Sequence, residues 1–218
     1  MIRTIAFIAR RPDLARASFR AHYEERHAPL ARPLLDGLRH YVRNHLAGAG
    51  DDDLGFDAIS EFEYASDAEF EAMRARLASA EGDAVRADEL AFMHKPGNSF
   101  FASTLAGAGG AARPPPGDAG KAIALVRARR GETRAALRAR CLAAARALED
   151  AGFARATRVD VACDGDPLGA PRFDALLHAW SPDGGSDALR AALDDALDDA
   201  LEGARVVAVE ERGEARAD

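Results

Sequence analysis

The chain has 218 residues, 48% of them apolar and 6% aromatic, with a formal net charge of −7; that is enough chain for one large or two small domains around a buried core. The acidic balance is spread along the sequence rather than gathered in a tail, which argues against a nucleic-acid partner. No apolar run approaches the ~18 residues of a membrane helix, the opening MIRTIAFI has no secretory pattern, and Cys141 and Cys163 have no metal-ligand spacing, so a cytoplasmic protein with reduced thiols is expected.

Hydrophobic periodicity predicts, in chain order, a strand over 2–9, a helix over 14–27 ended by Pro29, strands over 38–47 and 56–65, a helix over 67–78, a further helical turn near 83–92, and a strand over 98–105. Residues 106–120 (AGAGGAARPPPGDAG) read as a linker, stiffened by three successive prolines. Beyond it the same order returns: strand 121–128, helix 132–150, strands 154–163 and 172–180, helix 186–201 and strand 204–211. Residues 1–105 and 121–218 therefore each read βαββαβ. Short matches fall in the same order in both halves: Ile5–Ile8 with Ile123–Val126, Ala17–Tyr23 with Ala135–Cys141, and Phe56–Ala58 with Phe173–Ala175. The expected fold class is α+β: two ferredoxin-like units in one chain, packed sheet to sheet as a pseudo-dimeric α/β barrel.

The reactive side chains are unevenly shared. His22, His27, His40, His45 and His94 and all the tyrosines lie in the first half, and only His178 in the second. On the first helix Phe19, Tyr23 and His27 stand four apart and share a face. A neutral imidazole beside a phenol is an acid/base pair usable near neutral pH; the same stripe also reads as core, with His27 satisfying a backbone carbonyl. The second strand puts His40, Val42 and Asn44 on one face and Tyr41, Arg43 and His45 on the other. Either set is a candidate cavity wall: His40 with Asn44 to position a carbonyl, or Tyr41 with Arg43 and His45 to hold an anion. Strand three adds Asp57, Glu61 and Glu63, of which a carboxylate in an apolar cleft gains basicity; Glu63 and Arg43 also read as solvated rim charges. No His pair has chelating geometry: His22 and His27 are ~140° apart on a helix, and His40 and His45 lie on opposite strand faces. No phosphate-loop, dinucleotide or nucleophile-elbow motif is present. His94 reads as a turn residue.

The string Phe19-x3-Tyr23-x3-His27-x-Pro29-Leu30, with Gly37-Leu38-x2-Tyr41-Val42-x-Asn44 and Phe56-Asp57-Ala58-Ile59-x-Glu61-Phe62 after it, resembles the EthD domain family of the dimeric α/β-barrel superfamily over residues 2–105. The second half departs from it, with Leu137, Cys141 and Ala145 where the string has Phe, Tyr and His. The resemblance implies a barrel of paired ferredoxin-like units and an association with breakdown of small organic compounds. Similar barrels include cofactor-free monooxygenases, cyclases, lactone isomerases and heme enzymes, and fold alone does not choose among them.

Two expectations follow. The first is a cofactor-independent acid/base enzyme (oxygenation, cyclisation, decarboxylation or isomerisation) for a small aromatic, ketide or ether-derived metabolite. Its catalytic candidates are Tyr23, His27 and His40, with Phe19, Tyr41, Asn44 and Glu61 as substrate contacts. The second is a non-catalytic small-molecule-binding or accessory protein. Neither needs a metal, a cofactor, nucleic acid or a membrane, and either fits a monomeric pseudo-dimer or a homodimer. A heme variant would place His178 on the iron.

Overall fold

The computed structural model describes residues 2–35, 37–48, 51–110, 119–164, 171–181, 185–197, 201 and 203–215. The first half contributes β1 (Ile2–Ile8), α1 (Arg16–His22), a wide helical turn (Tyr23–His27), α2 (Ala28–Ala31), β2 (Leu38–Leu46), β3 (Ala58–Tyr64), α3 (Asp67–Ala78), α4 (Asp83–Phe92) and β4 (Ser99–Gly110). The second half contributes β5 (Lys121–Val126), α5 (Arg134–Asp150), β6 (Ala156–Ala162), β7 (Ala175–Trp180), α6 (Ser186–Leu197) and β8 (Arg205–Ala215). The strands close into one barrel in the order β1-β3-β2-β8-β5-β7-β6-β4, every neighbour antiparallel. Each half keeps the 4-1-3-2 order of a split βαβ unit. The halves join edge to edge, β2 on β8 and β4 on β6, so neither keeps an open edge. Among the described residues no helix is long and apolar enough to cross a membrane.

Two expectations are corrected here. Pro29 does not end the first helix, which runs on through Ala28–Ala31 and Arg32–Leu34. Proline has no N–H to give the preceding turn and its ring crowds the carbonyl four residues back. The chain meets this by widening Tyr23–His27, where the Ala28 N–H reaches the Tyr23 carbonyl five residues away. Nor does a linker begin at Ala106: β4 continues to Gly110, with Gly107 opposite Val159 and Gly110 opposite Ala156. The small residues there serve a close crossing, since a Cβ on Gly107 would stand 2.6 Å from Leu142 of α5. Of the rest of the expected linker, residues 111–118 lie outside the described residues.

The barrel closure buries both faces of most strands. Inside it, Ile5, Phe7, Ile59, Phe101, Ile123, Leu125, Leu176 and Val207 form an apolar core with Phe56 and Phe173, the ring of Phe7 lying 4.8 Å from Phe56 and 5.5 Å from Phe173. Toward the other end the interior is charged. Lys121 Nζ donates to Asn44 Oδ1 (2.7 Å), Glu61 Oε1 (3.0 Å) and Glu211 Oε1 (2.7 Å). Arg158 bonds Glu61 and, at 2.9 Å, Asp160. Arg3 Nε donates to Asp160 Oδ1 at 2.8 Å, and the Trp180 indole N–H to Glu211 at 3.2 Å. The balance of Arg3, Lys121 and Arg158 against Glu61, Asp160 and Glu211 is what lets a low-dielectric interior hold ions at all.

Outside the barrel the two halves differ. In the second, α5 and α6 press Leu137, Cys141, Ala144, Ala145, Leu148, Leu189 and Leu193 onto Ala124, Val159 and Leu177, filling the space. In the first, α3 begins on a Ser66–Glu69 capping box, and helices α1–α4 stand over Ala6, Ile8, Tyr41, Ala58 and Tyr64. Room remains between them.

Candidate functional site

That room is a cavity of about 670 Å³, well inside the range of small-molecule sites. Its floor is the outward face of the first half's sheet: Thr4 and Ile8 of β1, Tyr41 of β2, Phe62 and Tyr64 of β3. Tyr23 and His27 of the wide turn, Ala31 and Leu35 form one wall; Phe70, Met73 and Leu77 of α3 and Val85 of α4 form the other, with Phe100 and the charged Glu71, Arg74, Arg86 and Glu89 also on the lining. All of these residues belong to the first half.

The structure brings Tyr23 and His27 of this wall together with Tyr41 of the floor. The Tyr23 and His27 rings meet edge to face at 5.4 Å. Tyr23 hydroxyl and Ser60 Oγ are 2.8 Å apart, and the Tyr41 hydroxyl donates to Tyr23 at 3.4 Å. Burial raises both phenols above their ordinary range, opposed at Tyr23 by the bond to Ser60, so both stay protonated and able to donate. His27 is 5% exposed. Burial pushes its imidazole below its ordinary value despite the counter-pull of Asp88, which leaves it neutral at pH 7. Phe19 is fully buried behind Tyr23, ring centroids 5.9 Å apart; it braces the tyrosine and is not part of the cavity lining.

The remaining sequence candidates lie elsewhere. His40, Asn44 and Glu61 are on the inward faces of β2 and β3, where strand alternation aims them away from the cavity. Asn44 and Glu61 are committed to Lys121, and half-buried His40 pairs with Glu63 and Ala215 at the barrel end. Arg43 and His45 share the Tyr41 face, but both bind Glu24: Arg43 through two bonds of 2.8 Å, His45 Nε2 at 2.6 Å. Burial opposes ionisation of Glu24, yet the bonds from His45 and Arg43 prevail and hold its carboxyl at about 2. Arg43 is thus a buried ion-pair partner and not a solvated rim charge. His94 is exposed.

One residue the sequence reading passed over contacts the site. Asp88, 6% exposed on α4, places Oδ2 3.0 Å from His27 Nδ1, and Oδ1 2.9 Å from both His22 Nε2 and Arg26 Nε. Burial works against its ionisation; the bonds from His22 and His27 outweigh that and hold its carboxyl below the usual range. Its sequence signal is a carboxylate at the i+3 position of the Val85–Asp88–Phe92 stripe, all three buried.

A heme does not fit the residue proposed for it. His178 is fully buried inside the barrel, Nε2 3.3 Å from Asp160 and Nδ1 3.5 Å from Glu61, with no face open to a porphyrin. Among the described residues no cluster of His, Cys, Asp and Glu is placed to hold a metal ion.

Comparison with known proteins agrees with this division of the chain. Residues 11–96 match the family model of the EthD domain. A candidate monooxygenase from Lactobacillus acidophilus superposes with a TM-score of 0.57 at 9% identity, covering 99% of this chain and 96% of its own. An anthrone oxidase-like protein gives 0.55 at 11%, covering 99% and 95%. A candidate chlorite dismutase gives 0.52 at 9%, covering 96% and 95%. At such identities the likeness establishes the dimeric α/β-barrel fold spanning the whole chain. No curated protein sequence matches the chain.

Proposed function

We propose that this EthD domain is a cofactor-independent acid/base catalyst acting on a small, largely apolar carbonyl or phenolic compound of aromatic or ketide type. The observation that carries the reading is a corner of an apolar cavity where a neutral imidazole stands beside two neutral phenols. His27 takes a proton from carbon next to a carbonyl, or from a phenol. The Tyr23 and Tyr41 hydroxyls donate to the oxygen on which negative charge develops. Their mutual bond, at 3.4 Å the longest of the set, is the one a substrate oxygen displaces, while Ser60 keeps hold of Tyr23. Because the cavity lining comes wholly from the first half, one chain is sufficient for the site.

The test is deuterium uptake. A panel of aryl ketones, β-diketones and phenols is incubated with the protein in D2O and followed by mass spectrometry, beside a fold-checked His27→Ala variant. Protein-dependent exchange lost in the variant supports the reading. Exchange that survives it removes His27 from the chemistry, and ligands that stabilise the protein yet return unlabelled and unchanged leave a binding role instead.

A further inference from the structure

We propose that Asp88 is the positioning residue of this site: it fixes His27 in the tautomer with the proton on Nδ1, so that the Nε2 lone pair serves the cavity. The inference deepens the reading of His27 as a base and rests on it for its consequence, but it stands on geometry of its own. An ionised carboxylate can only accept hydrogen bonds. With Oδ2 3.0 Å from His27 Nδ1, the proton of that bond must sit on Nδ1. The other oxygen accepts from His22 Nε2 and Arg26 Nε, both at 2.9 Å, so a cation and a second imidazole keep the carboxylate ionised whatever His27 does. A free imidazole favours its proton on Nε2, which would turn a donor toward the substrate where a base is needed; Asp88 reverses that preference.

The supporting element is as specific as the contact. Asp88 rides on α4, whose Phe92 packs against both imidazoles, 4.9 Å from the His27 ring and 4.6 Å from the His22 ring. Carboxylate and aromatic ring together fix the plane as well as the tautomer. Among the described residues the second half has no helix equivalent to α4, and Ala145 stands where the sequence match puts His27. Imidazole and orienting helix occur together in one half.

Ring-nitrogen chemical shifts of the 15N-labelled full chain, read by long-range proton–nitrogen correlation, decide the matter without a substrate. At pH 7 the wild-type His27 is expected with its proton on Nδ1. In Asp88→Asn the single amide oxygen is claimed by Arg26 and His22, which turns the NH2 toward His27 and moves its proton to Nε2; Asp88→Ala, with no acceptor, should make the Nδ1–H form a minority. The groups facing His27 that bear on its titration are Asp88 and Glu89 of α4 and His22 of α1, so both variants should also titrate at lower pH than wild type. In the deuterium assay they should lose on the order of 10²-fold in rate, the lower end of what a general base supplies. A wild-type proton on Nε2, or a tautomer unmoved in a folded Asp88→Ala, overturns the proposal. The expected tautomers without any protein-dependent exchange support positioning by Asp88 while removing the base role of His27, so the two readings fail separately.

Discussion

Replacing Lys121 with methionine tests whether the barrel interior is as dry and as balanced as its geometry implies. The ammonium is fully buried, donates to Asn44, Glu61 and Glu211 and lies 4.8 Å over the Trp180 ring. Methionine keeps the length and removes the charge. Glu61 retains its bond to Arg158 and Glu211 the neutral Trp180 N–H, but both lose the ammonium and the interior turns net negative. Breaking a buried pair from one side costs about 3–5 kcal/mol, because the surviving charge loses its counter-ion. That is a large share of the ~5–15 kcal/mol that holds a domain folded, and at ~2–4 °C per kcal/mol for a chain of this size the melting temperature should fall by about 6–20 °C. Trp180 is the sole tryptophan and touches the cluster, so its fluorescence in urea titrations reports this region directly. The control is Lys121→Met with Glu211→Gln, which restores neutrality and keeps an oxygen for the indole N–H; it should be more stable than the single variant by about 2 kcal/mol or more, a coupling typical of one buried network. A loss under about 1 kcal/mol in the single variant, or a double variant no better than the single, would mean that water reaches the cluster and the reasoning is wrong.

Three further outcomes are expected. His178, fully buried, is pushed by burial down to about 4 despite Glu61; the unfolded chain gains a proton near 6.5 that the folded state refuses, so stability is intact above pH 6.5 and falls between 6.5 and about 4 by up to about 3 kcal/mol, and His178→Gln should flatten that stretch of the pH–stability curve measured by urea midpoints. Tyr23→Phe should lower deuterium exchange on the order of 10²-fold while changing stability by only about 1 kcal/mol, separating its proposed donor role from its packing role. Glu24→Ala, which strands Arg43 and His45, should destabilise by about 3 kcal/mol in urea titration and leave the Tyr41 side of the cavity less well held.

Most element positions were legible because each strand and helix carries its own period: α3 begins and ends where the pattern places it, and the βαββαβ order holds in both halves. The direction in which a strand face points was not legible. Alternation distinguishes inside from outside only when one face meets water, and here β5 and β6 are buried at every position, so Lys121, Arg158 and Asp160 look like solvent residues until closure encloses them. The same ambiguity set His40 and Asn44 level with Tyr41 as cavity candidates. Asp88 was missed for a different reason: its partner His27 lies far away in sequence, and a single carboxylate on an amphipathic helix reads as its polar face unless the stripe is counted residue by residue.

The closed barrel also explains why the site lies where it does, and this can be tested in the opposite half. Among the described residues the barrel interior is lined by phenylalanines at one end and by paired ions at the other, and the cavity described above lies outside it, between sheet and helices. In the second half the described residues of that layer are closely packed: Cys141 is fully buried and Ala145 is 4% exposed within the same cluster as Leu177 and Leu193. Writing the missing stripe into it, as Cys141→Tyr with Ala145→His, should not create a second site. The added volume would press into buried side chains, and overpacking costs about 1–3 kcal/mol per position. The new imidazole would also lack an acceptor equivalent to Asp88. Thermal shift and deuterium exchange with the same panel would show it: a melting point several degrees lower and no added exchange. A variant that folds as well as wild type and doubles the exchange rate would mean that side-chain identity alone makes the site, and that the helix carrying Asp88 is dispensable.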